Sequence, residues 1–193
     1  MPNDDLRGRF VWYELLTTDP EAAQDFYPTV VGWDTEPWEP PDGGEPYVMW
    51  KTGERPIGGV MQLPDDAVEQ GAVPHWLPYV GTPDVDSTVE RAKELGSRVY
   101  VEPLDIPTVG RFAVLADPQG AVFAVYTPEM EAPAAGPPQR GDISWHELVT
   151  TDWEAAFAFY HELFGWEKKD AMDMGEMGIY QMYGRRDGIP LGG

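Results

Sequence analysis

The sequence predicts an α+β fold built from repeated βαβββ modules. Three observations support this: a long internal repeat, a capped helix after a strand-like segment in each copy, and many short apolar segments separated by turn residues. The chain has 193 residues, of which 21 are Gly and 20 are Pro, so tight connections between short elements are expected. Its hydrophobic fraction of 42% is sufficient for a packed core.

The internal repeat relates residues 12–33 to residues 145–166, a shift of 145 − 12 = 133 positions. The two segments, WYELLTTDPEAAQDFYPTVVGW and WHELVTTDWEAAFAFYHELFGW, are identical at 13 of 22 positions. Similarity over this length indicates a duplicated structural unit. Each copy is predicted to form a strand followed by a helix.

The first module is predicted to begin with a strand over residues 10–18, which are rich in β-branched and aromatic side chains. Asp19 is expected to be the N-cap of a helix, with Pro20 at its first position and Gly32 at its end. Pro28 is expected to kink or tighten this helix because proline removes a backbone donor. Further strands are predicted at residues 35–38, 47–52 and 57–63.

A second, more divergent module is predicted in the next part of the chain. The segment from Ser87 to Glu90 has the pattern of a capping box and is expected to open a helix that ends at Gly96. The segment from Asp117 to Gly120 favours a type I turn between two hairpin strands. The strands of this module are predicted at residues 75–80, 98–102, 111–116 and 121–127.

The third module is predicted to start at Asp142 and to reach Gly193, where Pro190-Leu-Gly-Gly parallels Pro56-Ile-Gly-Gly of the first module. The first module continues into another strand, so we expect the third module to lack its last one. Its exposed strand edge could pair with a second copy of the chain, or the sequence could be a truncated product of a longer gene. The predicted organisation is a two-module domain over residues 1–128, a Pro- and Gly-rich linker over 129–141 and an incomplete module over 142–193.

Composition excludes several classes of function. The chain has no Cys, which rules out disulfides, thiolate nucleophiles and zinc–cysteine sites. Its 34 acidic and 13 basic residues give a net charge of −21, which disfavours binding to nucleic acid or to an anionic membrane. The acids are scattered, which indicates a solvated acidic surface, with recruitment of a cationic partner as the alternative. Without a secretory signal or an apolar run long enough to span a membrane, the protein is expected to be soluble and cytoplasmic.

These motifs resemble the vicinal oxygen chelate superfamily, which includes glyoxalases, bleomycin-resistance proteins and extradiol dioxygenases. The Trp-x-Glu-Leu-x-Thr-x-Asp start, the Phe-Tyr pair and the closing Gly-Trp are similar to its tandem glyoxalase-like members. The resemblance extends from Phe10 onward and implies that paired modules form a cupped, barrel-like sheet around a cavity. It also implies that enzymes of this kind hold a divalent metal with His, Gln or Glu side chains on the cavity faces of strands.

The positions that the resemblance assigns to metal ligands carry few ligating side chains here. They fall at or near Trp12, Trp145, Leu77, Ala124, Val60 and Gln62. Because at most one conventional ligand is retained, we expect no metal and no other cofactor, with a divalent metal as the alternative.

Glu14 and Glu147 are the most informative candidate site residues because each lies two positions after the repeated Trp and shares its strand face. A carboxylate among aromatic side chains could pair with a cationic ligand or act as a general base, and a purely structural acid is the alternative. His75 could contact a ligand or bind a metal, or it could be a strand-entrance histidine bonded to backbone or water. The candidate cavity residues are Trp12, Glu14, Tyr47, His75, Tyr79, Trp145 and Glu147.

Two functions remain open from the sequence. An intact fold with missing ligands favours a protein that binds a small organic molecule in a metal-free cavity. The resemblance alone supports the other, a metal-dependent lyase, isomerase or dioxygenase of the glyoxalase type. The expected partners are a small-molecule ligand and, through the third module, a second copy of the chain. No catalytic residue is assigned.

Overall fold

The structure is a computed structural model that describes residues 6–40, 43–44, 46–130, 139–186 and 188–193. The predicted α+β class is confirmed: a large curled sheet of eight strands is accompanied by a two-stranded sheet and short helices. No helix in these described ranges is long and apolar enough to cross a membrane. The chain divides into two compact units, each discontinuous in sequence. Unit 1 comprises Met1–Phe10, Val80–Ala132 and Ile143–Gly193, and unit 2 comprises Val11–Tyr79 and Pro133–Asp142.

The strands and helices follow the predicted order, with a few added or lengthened elements. The strands are β1 (Phe10–Thr17), β2 (Asp34–Trp38), β3 (Tyr47–Thr52), β4 (Arg55–Gln62), β5 (His75–Gly81), β6 (Arg98–Ile106), β7 (Gly110–Ala116), β8 (Val122–Pro128), β9 (Glu167–Asp173) and β10 (Ile179–Gly184). The helices are α1 (Pro20–Val31), α2 (Asp65–Glu69), α3 (Val85–Glu94) and α4 (Trp153–Phe164), with a short 3-10 turn at Gly175–Met177.

Unit 2 contains the first module, with strands in the order β2-β3-β4-β1 followed by the start of β5. β1 pairs with β4 in parallel, and β3 pairs with both β2 and β4 in an antiparallel manner. The predicted ends of α1 are confirmed: the Asp19 side chain accepts from the Ala22 amide, and Gly32 adopts a left-handed conformation with φ of 80°. Pro28 lies inside this helix without ending it.

Unit 1 contains the second module except for the start of β5, and its strands β8-β7-β6 form antiparallel pairs. The predicted turn between β7 and β8 is present, with the Gly120 amide donating to the Asp117 carbonyl at 3.0 Å. The predicted capping box is wrong, because Asp84 and not Ser87 is the N-cap of α3. The Asp84 carboxylate accepts from the Ser87 amide at 2.8 Å, and its negative charge is favourable at a helix N-terminus.

The third module contributes α4 to the core of unit 1. Phe159, Leu163 and Phe164 of this helix are buried in one cluster with side chains of α3, β7 and β8. The strand predicted at the start of the module is wrong, since residues 142–152 form only an isolated bridge at His146. β1 pairs with β4 over five positions, whereas the equivalent segment finds its backbone partners only in residues 191–193. That pairing is too short for a regular strand.

The predicted linker over residues 129–141 falls mostly on residues 131–138, which lie outside the described residues. In the described part, residues 139–142 belong to unit 2, where the Trp33 Nε1–H donates to the Gly141 carbonyl at 2.8 Å. The predicted two-module domain over residues 1–128 stays a prediction.

Candidate functional site

The candidate site lies in unit 2, on the sheet face opposite α1. Leu15 and Thr17 of β1 lie beside α1, so strand alternation places Trp12 and Glu14 on the other face. The Trp12 Nε1–H donates to the Tyr47 hydroxyl at 3.0 Å. The Tyr47 hydroxyl in turn donates to Glu14 Oε2 at 2.7 Å. These three candidates therefore form one hydrogen-bonded chain across β1 and β3.

A pair of glycines on β4 makes this arrangement possible. Gly59 pairs with Glu14 in the parallel register, and a Cβ on Gly59 would overlap the Tyr47 hydroxyl. Gly58 pairs with Tyr13, and a Cβ there would overlap the Tyr13 carbonyl oxygen. This Gly-Gly pair is therefore a site of close packing, and Gly59 specifically provides the space for the Tyr47 ring.

The Glu14 carboxyl group is buried, with only 4% of the residue exposed. Burial raises its pKa from 4.5 to about 7, although polar contacts with Tyr47 and Trp12 act in the opposite direction. Its Oε1 atom has no hydrogen-bond partner among the described residues. Burial, followed by the charge of Glu14, raises the pKa of Tyr79 on β5. The site thus holds one carboxyl group that loses its proton near neutral pH. The phenol groups beside it stay protonated at that pH.

The third module carries a second copy of the same hydrogen-bonded chain, within unit 1. The Trp145 Nε1–H donates to the Tyr180 hydroxyl at 2.8 Å, and this hydroxyl donates to Glu147 Oε1 at 3.0 Å. Tyr180 was not among the sequence candidates. The repeat contained the signal, because 180 − 47 = 133 is the shift that relates the two modules. Unlike Glu14, Glu147 is exposed, and Trp145 is 42% exposed.

His75 takes no part in the hydrogen-bonded chain around Glu14. Its Nδ1 atom lies 2.7 Å from the Val73 carbonyl oxygen, at the entrance of β5. His75 instead lines an open depression of about 480 Å³ between α1, the end of β1 and the start of β5, together with apolar residues such as Phe26 and Trp76. The structure therefore brings Trp12, Glu14 and Tyr47 together and places His75 elsewhere in unit 2.

The side chains of the described residues are not suited to hold the divalent metal that enzymes of the vicinal oxygen chelate superfamily bind. Leu77, Ala124 and Val60 are apolar and buried at three of the expected ligand positions, and the Trp12 side chain donates to Tyr47. Gln62 is exposed at the end of β4. Within the described part of the chain, no three His, Asp or Glu side chains are grouped so that they could hold a metal ion.

Comparison with known families accounts for this combination of repeated modules and a curled sheet. A family model described as a glyoxalase-like domain matches residues 12–126. The chain belongs to the glyoxalase-like domain family. The matched span of this glyoxalase-like protein begins at Trp12, the first residue of the hydrogen-bonded chain, and ends in β8.

Curated relatives share a substantial part of the sequence. CFP32 of Mycobacterium tuberculosis, described as a candidate glyoxylase, is 43% identical over 121 residues, which is 63% of this chain and 44% of CFP32. The anthracycline biosynthesis protein DauV of Streptomyces sp. is 30% identical over 168 residues, which is 82% of this chain and 61% of DauV. This chain therefore spans less than half of the length of CFP32 and about three fifths of the length of DauV.

Solved structures show the same fold. A mutant of 4-hydroxymandelate synthase from Streptomyces coelicolor matches with a TM-score of 0.62 at 17% identity, over 92% of this chain and 58% of the synthase chain. The Mn(II)-bound glyoxalase from Novosphingobium aromaticivorans matches with a TM-score of 0.60 at 18% identity, over 88% and 56% of the two chains. With the family match, these likenesses confirm the resemblance to the vicinal oxygen chelate superfamily.

Proposed function

We propose that this glyoxalase-like protein binds a small organic molecule at the Glu14 site without the help of a metal ion. The observation that carries the proposal is the buried Glu14 carboxyl group, whose Oε1 atom has no partner among the described residues. A buried polar atom without a hydrogen bond costs on the order of 1–3 kcal/mol, so a ligand that supplies the missing partner gains binding energy there. Trp12, Tyr47 and Tyr79 surround the carboxyl and are only partly buried, which makes them reachable.

The alternative of a purely structural acid is weakened by the second copy of the motif. The same hydrogen bonds join Trp145, Tyr180 and Glu147, where the carboxyl group is exposed. The hydrogen-bonded chain therefore forms without burial of the carboxyl group. The hydrogen bonds do not require the burial of Glu14, and this burial disfavours the charged carboxylate and so raises its pKa. Such a consequence is typical of binding and catalytic sites.

The metal-free part of the proposal is supported by the side chains at the expected ligand positions. Buried Leu77 and Ala124 offer no donor atoms to a metal ion. The metal-dependent lyase, isomerase or dioxygenase remains the competing function, and it is favoured by the 43% identity with CFP32, the candidate glyoxylase. The names of CFP32 and DauV both point toward chemistry on small organic molecules.

The proposal is tested by screening amines, aldehydes and aromatic compounds against the chain purified without a His-tag. We expect at least one compound to raise the melting temperature and quench Trp fluorescence equally with and without a chelator. Glu14→Gln should abolish the effect, and Glu147→Gln is the matched control that should retain it. Binding that disappears with the chelator, together with stoichiometric metal by elemental analysis, would establish the metal-dependent function instead. Absence of any binding compound would refute the proposal.

A further inference from the structure

We propose that the ligand of the Glu14 site is an organic cation whose ammonium group pairs with Glu14 while its apolar part lies against Trp12, Tyr47 and Tyr79. This inference rests on the proposed function and specifies the chemical class of the ligand. Three observations carry it: the donors around the carboxyl group, the aromatic side chains beside it and the charge of the whole chain.

The donors that reach Glu14 within the described residues are neutral. Tyr47 donates to Oε2, and among the residues that the structure describes no side chain is hydrogen-bonded to Oε1. The basic side chains within β3 and β4 are engaged with other acids, since Lys51 pairs with Glu36 and Arg55 pairs with Asp142. An ionised carboxylate offers about four acceptor positions, and those of Oε1 are unfilled among the described residues. A ligand ammonium group supplies both the missing hydrogen bond and the missing positive charge.

The aromatic side chains beside the carboxyl group favour a cation over an anion. Trp12, Tyr47 and Tyr79 come from β1, β3 and β5 and are each half-buried, so that part of each side chain remains open to a ligand. The faces of aromatic rings carry partial negative charge and attract ammonium groups by about 0.5–2 kcal/mol. The net charge of −21 acts in the same direction over longer distances, because it raises the local concentration of cations and lowers that of anions.

Glu14 is the group whose charge changes near neutral pH in this site. The side chains facing it are Trp12 from its own strand, Tyr47 from β3 and Tyr79 from β5, while β4 presents Gly59. Burial raises the pKa of both tyrosines, so their hydroxyl groups stay neutral. An ammonium group stays charged up to about pH 9–10. Affinity for a cation should therefore rise with pH as Glu14 loses its proton.

The test uses three probes that share a phenyl ring and differ in charge: benzylamine, benzyl alcohol and benzoate. Binding to the full chain is measured by calorimetry at about pH 8 and about pH 5.5, on either side of the Glu14 transition. At the higher pH, benzylamine should bind at least about tenfold more tightly than benzyl alcohol, and benzoate should not bind detectably. The preference should shrink at the lower pH. It should be lost in Glu14→Gln and retained in Glu147→Gln.

The outcomes separate this inference from the proposed function. If benzyl alcohol or benzoate binds as tightly as benzylamine and Glu14→Gln abolishes that binding, the small-molecule site stands and the cation inference fails. A preference for benzylamine that survives Glu14→Gln also overturns it, because the cation then binds elsewhere on the acidic surface. Failure of all three probes and of the wider screen overturns both proposals. If Glu14→Gln does not fold, the change of preference with pH in the unmodified chain decides the question.

Discussion

Glu14 and Glu147 show that the same residue in the same local sequence can have different properties. Both follow a Trp by two positions, and both accept a hydrogen bond from a Tyr hydroxyl. Glu14 is buried and its pKa is raised to about 7, whereas Glu147 is exposed. The sequence repeat therefore determines the hydrogen-bonded chain, and the surrounding structure determines the proton affinity of Glu14.

The raised pKa of Glu14 predicts a specific dependence of stability on pH. Its pKa is about 7 in the folded protein and 4.5 in the reference state, so the folded state binds the proton more tightly. Below about pH 4.5 the carboxyl group is protonated in both states, and the free energy of unfolding has its full value. As the pH rises to about 7, the free energy of unfolding falls by about 3 kcal/mol in total. The Glu14→Gln variant should not show this fall in stability, because it has no carboxyl group at this position.

The measurement is urea-induced unfolding of the unmodified chain and Glu14→Gln across this pH range. The free energy of unfolding of the unmodified chain should fall relative to Glu14→Gln as the pH rises, because all other titrating groups are common to both proteins. Glu147→Gln is the control from the exposed copy and should not reproduce the effect. A difference that stays constant with pH would contradict the burial argument.

The candidate site could be predicted from the sequence only in part. Strand alternation placed Trp12 and Glu14 on one face because they lie two positions apart. The participation of Tyr47 depends on the pairing of β3 with β4 and on the space above Gly59, neither of which local sequence determines. Strand alternation did not predict the position of the His75 ring, because this ring is hydrogen-bonded at the entrance of β5.

At the scale of strands, Gly59→Ala should destabilise the protein by about 1–3 kcal/mol, because the added methyl group displaces the Tyr47 ring. Adding Tyr47→Ala should recover part of the loss caused by Gly59→Ala, since the obstructing ring is then absent. Gly58→Ala is the matched control, because its methyl group meets the Tyr13 carbonyl of β1 and Tyr47→Ala cannot relieve that overlap. Double-mutant cycles from urea unfolding measure both couplings. Equal coupling of both glycines to Tyr47 would be inconsistent with the observed packing.

The two repeated helices have opposite exposure at equivalent positions. Phe26 of α1 is 55% exposed, and its counterpart Phe159 of α4 is 5% exposed. Val30 and Leu163 show the same contrast, at 63% and 2%. The sequence predicted both helices from the repeat, and it predicted the caps of α1 at Asp19 and Gly32 because capping is local. It could not predict which helix is buried, since the burial of α4 depends on its contact with the core formed by α3, β7 and β8.

This contrast gives a matched pair of substitutions. Phe159→Ala should reduce the free energy of unfolding by about 3–5 kcal/mol, because it leaves a cavity in the core of unit 1. Phe26→Ala removes the same atoms from a mostly exposed position and should cost less than about 1 kcal/mol. Urea unfolding of the two variants provides the comparison. A large loss for Phe26→Ala would show that its face is covered in solution.

At the scale of the whole chain, each unit depends on a short segment distant in sequence. In unit 1, the Trp166 Nε1–H donates to the Gly8 carbonyl at 2.8 Å, and the Phe10 ring stacks on His146 at 3.6 Å. In unit 2, Trp33 makes the equivalent hydrogen bond to Gly141, again at 2.8 Å. The two glycines are related by 141 − 8 = 133 positions, the shift of the repeat. The duplication therefore includes the segment that precedes each module.

Because Gly8 contacts Trp166, a change near the N-terminus should weaken the structure of residues 142–193. Gly8 has φ of 73°, and a Cβ there would lie 2.7 Å from Trp166 Nε1. Gly32 has a similar φ of 80° but has open space around it. Both Gly8→Ala and Gly32→Ala should incur the cost of a left-handed alanine, about 1–2 kcal/mol. Gly8→Ala should cost about 1–3 kcal/mol more, because the indole ring must move.

The two variants can be compared by urea unfolding and by the rate of chymotrypsin cleavage within residues 142–193. Cleavage there should accelerate in Gly8→Ala and remain near that of the unmodified chain in Gly32→Ala, because Gly32 belongs to unit 2. Loss of the Trp166 contact should also increase quenching of Trp fluorescence by acrylamide in Gly8→Ala. Equal losses and equal cleavage in both variants would mean that the left-handed backbone alone accounts for the effect, and that residues 6–10 do not stabilise the third module.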